Sequence, residues 1–183
     1  VAGDGDHGIG MKRGVSAAEK RALELMAFRP GIKSLLSGVA DAWSDQSGGT
    51  SGAIWGVILR SLSEAASDDR AMLIPDLAAA LQAAALAVRQ FGGAEPGDKT
   101  IVDALDPLSE EFASAVAAGA DPVDAWRRAT EAAEGAVERT SKMAARTGRS
   151  KKHGEKSVGT PDPGALSLAI IARAILESLE GKE

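Results

Sequence analysis

The stretch Gly3-Asp4-Gly5-Asp6-His7-Gly8 lies near the start of the chain and is the segment around which the other motifs are arranged. Its glycines accept backbone angles that other residues avoid, and they allow a ligand close to the main chain. We therefore expect a turn here, neither regular helix nor strand, with the carboxylates of Asp4 and Asp6 directed toward one point. Carboxylate oxygens suit Mg²⁺ or Ca²⁺, and Mg²⁺ commonly takes one or two carboxylates and completes its shell with water and phosphate. The stretch indicates a metal–phosphate turn; the alternative is an ordinary acidic surface turn.

Two other interpretations of this stretch are excluded by its surroundings. The glycines at positions 3, 5 and 8 match the dinucleotide-binding fingerprint, but no predicted strand precedes them and the neighbouring carboxylates would repel a pyrophosphate. A calcium-binding EF-hand loop that began at Asp4 would need glutamate at its twelfth position, which is Val15 in this chain.

The composition of the 183-residue chain limits the class of protein. Hydrophobic residues make up 44% and aromatic residues only 3%, with no tyrosine, so we expect a core of closely approaching helices with small side chains. The absence of cysteine excludes a disulfide framework and a thiolate metal site, and it fits a reducing compartment; we expect a cytoplasmic protein. The net charge of −5 argues against a nucleic-acid partner. The most apolar run, residues 166–176, is too short to span a membrane, so no membrane partner is expected.

Apolar residues recur at helical spacing in seven segments, and no segment alternates with the period of a strand. This pattern predicts an all-α protein of bundle or barrel architecture. Thr50 or Ser51 is expected to cap the third helix and Asp121 the sixth. Pro107 should kink the fifth helix or delay its start. The predicted helices span about residues 11–28, 32–43, 50–67, 73–91, 100–116, 121–146 and 162–180.

Up-and-down connectivity places alternate loops of such a bundle at the same end. We therefore expect the acidic turn to meet three further loops there. A helix N-terminus near Thr50 and Ser51 would offer free N–H groups and hydroxyls to an anion; an ordinary Ser/Thr cap is the alternative. The basic residues of the last loop would face the phosphates, or form a solvated run. The three loops are residues 47–52, 97–100 and 149–162.

Four motifs together resemble the nucleotide-binding (L) domain of dihydroxyacetone kinases. The resemblance implies an antiparallel up-and-down barrel of eight helices with ATP at one rim. It also implies that the first of those helices is missing here, so that residues 1–183 form a single, N-terminally incomplete ATP/Mg-binding domain. The motifs are the opening Gly-Asp-Gly-Asp-His-Gly, Gly-Gly-Thr-Ser-Gly at 48–52, Gly-Asp-Lys-Thr at 97–100 and Gly-Thr-Pro-Asp-Pro-Gly-Ala at 159–165.

The resemblance also assigns site residues. In that family three aspartates hold two Mg²⁺ ions; Asp4 and Asp6 match the second and third, and the first would lie five residues before Asp4. The residues themselves add that the glycine-interrupted stretch 149–156, which is poor in apolar side chains, should be a mobile lid. Arg149 in that lid, whose planar fork suits phosphate oxygens, is the expected catalytic residue. The residues implied to bind ATP or ADP are His7, Gly8, Ile9, Gly10, Thr50, Ser51, Gly97, Arg149, Asp162, Pro163 and Gly164.

As a member of that family the chain is expected to be the ATP-binding half of a ketose kinase. It would transfer the γ-phosphate of ATP to a short ketose such as dihydroxyacetone, which a separate K domain or subunit holds. A homodimer formed through the complete kinase is compatible with the resemblance. Two alternatives stay open: an ADP-holding subunit that a phosphotransferase partner rephosphorylates, and a non-enzymatic helical interaction scaffold.

Overall fold

The computed structural model describes residues 5–147 and 155–181. Within those residues it contains seven α-helices and no strand, which confirms the all-α prediction. None of these helices is both long enough and apolar enough to cross a membrane. The helices are α1 (His7–Met26), α2 (Ile32–Ser47), α3 (Gly49–Ala65), α4 (Ile74–Gly92), α5 (Val102–Ala117), α6 (Pro122–Ser141) and α7 (Pro163–Leu179).

The helices pack as two compact units. The first unit, Asp6–Gly92, holds α1 to α4, and each helix packs on the next in the chain. The second unit holds α5 to α7 and begins at Gly93; there α6 packs on both α5 and α7. Within each unit, helices adjacent in sequence are therefore adjacent in space, as short connections predict.

Small side chains permit close helix packing in both units. In the first, Gly14 lies against Trp43, where an added Cβ would approach the indole ring to 2.7 Å. Trp43 in turn contacts Trp55, with ring centroids 5.2 Å apart. In the second unit, several alanines are fully inaccessible to solvent, which agrees with the alanine-rich core expected from composition. They are Ala104, Ala125, Ala129, Ala133 and Ala165.

Two predictions at helix starts in the first unit are wrong. The expected turn at the opening stretch ends earlier than predicted, because His7 and Gly8 already belong to α1. Thr50 and Ser51 do not cap α3: the helix begins at Gly49, and Gly48 precedes it without a side-chain cap. Gly48 and Gly49 have φ values of +67° and +62°, a left-handed region that glycine enters without strain. The chain thus turns into α3 on the two glycines, directly before the hydroxyl residues.

The second unit confirms one predicted cap and corrects other boundaries. Asp121 caps α6, since its Oδ1 accepts a hydrogen bond from the Val123 N–H at 2.9 Å. Pro107 lies inside α5, which begins five residues earlier at Val102. The sixth helix ends at Ser141 and not near residue 146. Lys142 and Met143 bond back to the carbonyls of Arg139 and Thr140 in tight turns, and beyond them the Ala145 N–H donates to Ser157 Oγ and the Arg146 N–H to the Asp98 carbonyl.

Candidate functional site

In the first unit, the N-termini of α1 and α3 lie side by side. His7 Nδ1 is 3.3 Å from Ser51 Oγ, and Ser47 Oγ donates to the Gly10 carbonyl at 3.0 Å. The first contact joins the opening motif to the glycine–hydroxyl motif across 44 residues of sequence, and the second lies beside it. The prediction that these two loops share one end of the helices is confirmed.

Glycine at two positions makes this close approach possible. A Cβ on Gly10 would stand 3.3 Å from the Ser47 carbonyl oxygen, and a Cβ on Gly52 would stand 2.8 Å from Ser47 Cβ. Ser47 itself is buried between these two backbone segments. Any larger residue at 52 would push the first turn of α3 away from α2. The glycines therefore fix the distance between the two helix starts.

The first turns of α1 and α3 form a polar surface that suits an anion. The first N–H groups of a helix have no partner within it, and the N-cap residues of these two helices, Asp6 and Gly48, make no side-chain capping hydrogen bond. Gly8 and Thr50 are exposed, while His7 and Ser51 are partly buried. Such a helix N-terminus favours phosphate through its N–H groups and its dipole. The N-termini of α1 and α3 together offer a phosphate-binding surface.

The residues at this surface also fit Mg²⁺, provided that phosphate accompanies it. Asp6 directly precedes α1 and is exposed to solvent, which places a hard oxygen ligand beside the helix start. Among residues 5–147 and 155–181, no group of three or more His, Cys, Asp or Glu residues could hold a metal ion. Phosphate and water would complete the shell of a Mg²⁺ ion at Asp6, which is the usual pattern for this ion. Asp4, the other predicted ligand, lies outside the described residues.

In the second unit, the loop before α5 is folded back onto the helix. Gly97, with a φ of +95°, donates its N–H to Asp103 Oδ1 at 2.6 Å, and the Thr100 N–H donates to Asp103 Oδ2 at 2.7 Å. Gly97 also borders an open cleft of about 290 Å³ between α5 and α6. Its wall carries three carboxylates and one guanidinium, a balance that disfavours phosphate. These charged residues are Asp103, Asp106, Glu110 and Arg139.

The predicted Asp162-Pro163-Gly164 motif forms the start of α7. Asp162 is the N-cap and accepts a hydrogen bond from the Ala165 N–H at 2.8 Å; Pro163 is the first helical residue. A Cβ on Gly164 would come within 3.2 Å of Ile101 Cβ, so glycine lets the turn pack against the loop before α5. Burial raises the pKa of Asp162 to about 6, and the nearby Asp103 carboxylate acts in the same direction. The helix N–H groups and the Lys99 charge oppose that rise.

Lys99 is a residue whose environment the sequence did not predict. Lysine is almost always exposed in folded proteins, but the surface of Lys99 is only 2% accessible. Its ammonium group donates to the carbonyls of Met143, Ser157 and Thr160 at 3.0, 2.5 and 2.7 Å. The motif Gly-Asp-Lys-Thr was the sole sequence signal for Lys99, and a motif does not reveal burial.

The structure thus groups the predicted site residues within each unit. His7, Gly10 and Ser51 come together in the first unit, where Ile9 is 58% exposed beside them in α1. In the second unit, Gly97 and Asp162 are linked through Asp103 and Lys99. Arg149 and most of the predicted lid lie in residues 148–154, outside the described part of the chain.

Comparison with known proteins identifies relatives along nearly the whole chain. The family described as DAK2 domain matches residues 1–177. An L-erythrulose kinase from Pectobacterium atrosepticum is 46% identical over 175 residues, which cover 96% of this chain and 30% of that protein. The ADP-binding subunit DhaL of a PEP-dependent dihydroxyacetone kinase 2 from Listeria innocua is 30% identical over 178 residues, covering 97% of this chain and 82% of that subunit.

A solved structure shares the fold. The dihydroxyacetone kinase from C. freundii, crystallised in complex with AMP-PNP and Mg²⁺, superposes with a TM-score of 0.65 at 24% sequence identity, over 96% of this chain and 28% of that one. The chain therefore spans less than a third of the length of this kinase and of the erythrulose kinase. The motifs predicted from sequence, the all-helical architecture and these matches agree, and the chain belongs to the DAK2 domain family.

Proposed function

We propose that this chain is the nucleotide-binding part of a ketose kinase, which holds ATP with Mg²⁺ and transfers the γ-phosphate to a short ketose bound by a separate K domain or subunit. The observation that carries the proposal is the meeting of two helix N-termini at His7 and Ser51 in a chain of the DAK2 domain family. The names of the relatives, erythrulose kinase and dihydroxyacetone kinase, support the substrate class.

In the first unit, the proposed role is phosphate binding. The N–H groups at the start of α1, across His7 to Gly10, and at the start of α3, near Thr50 and Ser51, would bind phosphate oxygens. Asp4 and Asp6 would hold Mg²⁺, which when bound neutralises phosphate charge; two ions are proposed from the family resemblance. Phosphoryl transfer depends mainly on in-line positioning and charge stabilisation, and these residues supply the positioning.

In the second unit, Gly97 and the Asp162-Pro163-Gly164 turn are proposed as further nucleotide contacts. Arg149 is proposed to stabilise charge on the transferring phosphoryl group, since its guanidinium donates in a planar fork. The ketose itself would be held by the K part of the kinase. A cytoplasmic location and a homodimer formed through the complete kinase remain predictions.

Calorimetric titration with ADP, in the presence and absence of Mg²⁺, tests nucleotide binding. We expect Mg²⁺-dependent binding that Asp6→Asn weakens at least tenfold while helical circular dichroism is retained. Asp69→Asn, an exposed aspartate between α3 and α4, is the matched control and should bind ADP normally. Turnover is then measured with a supplied K partner and dihydroxyacetone, L-erythrulose or D-erythrulose. A protein that binds no nucleotide with or without Mg²⁺ would contradict the proposal and favour the scaffold alternative.

The ADP-holding subunit is a second candidate, because the Listeria innocua relative named as an ADP-binding subunit is matched over 82% of its length. Nucleotide exchange distinguishes the two. A kinase releases ADP and takes up ATP in each cycle, so bound labelled ADP should exchange rapidly with free ATP. A subunit that is rephosphorylated in place should retain its ADP over many turnovers. Retention of the label would overturn the ATP-dependent assignment and leave the nucleotide-binding assignment intact.

A further inference from the structure

Lys99 occupies an environment that lysine rarely adopts. The residue is 2% exposed, and its φ of +63° lies in the left-handed region that non-glycine residues avoid. Lysine is almost never fully buried unless its charge is paired or fully hydrogen-bonded. Both the burial and the backbone conformation therefore require compensating interactions in the folded protein.

Those interactions are three carbonyl groups. The ammonium donates to Met143 O at 3.0 Å, Ser157 O at 2.5 Å and Thr160 O at 2.7 Å. An ammonium group has three N–H donors and no acceptor, so these contacts use its whole hydrogen-bonding capacity. With every donor engaged inside the protein, Lys99 has no N–H left for a ligand, and its role is to hold other groups in place.

The three carbonyls belong to two segments that the ammonium ties together. Met143 follows α6, whereas Ser157 and Thr160 precede α7. Neighbouring hydrogen bonds strengthen the tie: the Gly159 N–H donates to the Ser141 carbonyl at 2.8 Å, and the Asp162 N–H to Thr140 Oγ1 at 3.0 Å. Lys99 is thus the centre of a junction between the loop before α5, the end of α6 and the start of α7.

This junction sets the position of Asp162. Thr160, whose carbonyl accepts from Lys99, stands two residues before this aspartate. The positive charge of Lys99 also favours the ionised carboxylate, against burial and the nearby Asp103. Gly164, packed on Ile101 of the loop that carries Lys99, completes the contact. The backbone around the Asp162-Pro163-Gly164 turn therefore depends on where the ammonium lies.

We propose that Lys99 is a positioning residue for nucleotide binding: its ammonium, held by the carbonyls of Met143, Ser157 and Thr160, fixes the Asp162-Pro163-Gly164 turn in the geometry that contacts the nucleotide. The inference rests on the proposed nucleotide-binding function. It adds a residue that touches no ligand and acts through the turn.

Chemical rescue tests this inference. Lys99→Ala retains Cβ and removes three carbons and the nitrogen, which propylammonium matches in length and in its three N–H donors. We expect Lys99→Ala to weaken Mg²⁺-dependent ADP binding at least tenfold, and propylammonium at tens of millimolar to restore at least a third of the lost affinity. Tetramethylammonium, which carries the charge without N–H donors, should restore none. Lys142→Ala, which replaces an exposed lysine at the end of α6, is the matched control; its ADP affinity should change with neither cation.

The outcomes separate this inference from the proposed function. If the unsubstituted protein binds no Mg²⁺-ADP, the proposed function fails, and this inference with it. If that protein binds and Lys99→Ala binds equally well, only the positioning role is overturned. Propylammonium that raises the melting temperature of Lys99→Ala without improving ADP affinity would show a purely structural role and also overturn the inference.

A second measurement needs no substitution and covers the case in which Lys99→Ala does not fold. In ¹⁵N-lysine spectra of the unsubstituted protein, the Lys99 ammonium should be the most protected from solvent exchange, because it is buried with all donors engaged. We expect its resonance to shift when Mg²⁺-ADP is added. Saturation with ADP that leaves this resonance unmoved would overturn the positioning role.

Discussion

The two candidate regions of this protein differ in how their polar groups are satisfied. At the start of α1 and α3, Gly8 and Thr50 are exposed, and neither helix has a side-chain cap. Around Lys99, the polar groups are buried and paired with one another: the ammonium with three carbonyls, and the Asp103 carboxylate with two backbone N–H groups. The first region is open to a ligand, and the second is internally complete.

This difference indicates separate roles. The first N–H groups of a helix have no partner within the helix, and phosphate can bind such groups. A buried network with every donor used gains little from a ligand, but it loses much when one member is removed. We therefore expect loss of a polar side chain at the helix starts to change binding more than stability, and loss of one in the Lys99 network to change stability strongly.

The largest effect on stability is expected for Lys99→Met. Methionine keeps the apolar stem but leaves the carbonyls of Met143, Ser157 and Thr160 without their donor. An unsatisfied buried polar group costs about 1–3 kcal/mol, and we expect a loss of about 4 kcal/mol in the free energy of unfolding. Urea denaturation measures it, with Lys142→Met as the exposed control. A loss below about 1 kcal/mol would contradict the expectation that removing one member of this network lowers stability strongly.

The next effect concerns pH and Asp162. The pKa of this carboxyl rises from 3.8 to about 6 in the folded state, so the folded protein binds its proton more tightly than the unfolded chain does. The stability that protonation supplies is present in full below about pH 4 and is lost as pH rises through about 6. The shift corresponds to about 3 kcal/mol.

Asp162→Asn should remove this pH dependence, because asparagine still accepts from the Ala165 N–H but does not titrate. Lys99 and Asp103, the charged groups facing Asp162, remain in the variant. Urea denaturation at pH 4 and pH 7 measures the difference. Asp121→Asn is the control. Asp121 also caps a helix but is exposed, so this substitution should leave the pH dependence of the free energy of unfolding unchanged. Equal pH dependence in Asp162→Asn and the unsubstituted protein would show that Asp162 is not the titrating group.

A smaller effect is expected at the helix starts for Gly52→Ala. The new methyl group would stand 2.8 Å from Ser47 Cβ, closer than side-chain carbons approach. Overpacking of this kind costs about 1–3 kcal/mol, so we expect a loss of about 2 kcal/mol. Gly8→Ala is the matched control, since nothing lies within 4 Å of its added Cβ; alanine there should stabilise α1 by up to about 1 kcal/mol. If both variants behave alike, the helix starts are not held by the Ser47 contact.

The smallest effect on stability, with a clear effect on binding, is expected for Ser51→Ala. Its hydroxyl lies 3.3 Å from His7 Nδ1 at a partly buried position, so its removal should change the free energy of unfolding by less than about 0.5 kcal/mol. Because Ser51 belongs to the proposed phosphate-binding surface, Mg²⁺-dependent ADP affinity should fall about tenfold. Calorimetry and urea denaturation on the same preparation measure both. A Ser51→Ala variant that loses stability but keeps its ADP affinity would contradict the conclusion that the helix starts serve binding rather than stability.

The sequence by itself determined the elements that depend on neighbouring residues. Apolar spacing predicted seven helices, because helical periodicity is local. Asp121 before Pro122 predicted the start of α6, because a cap and a first-turn proline act within three residues. Glycine and hydroxyl residues predicted the loop between α2 and α3 because turn preferences are also local. The N-cap residue of α3, however, is Gly48 and not Thr50 or Ser51.

Only the tertiary structure decided the features that depend on distant partners. The carbonyls that accept hydrogen bonds from the buried Lys99 ammonium are 44, 58 and 61 residues away along the chain. Nothing near the lysine in sequence therefore distinguishes it from an exposed one. The path of the chain after α6 depends on bonds from Ala145 to Ser157 and from Arg146 to Asp98. His7 meets Ser51 only because α1 and α3 pack in the same unit. Buried hydrogen-bond partners are chosen by packing, and packing joins residues that local sequence cannot relate.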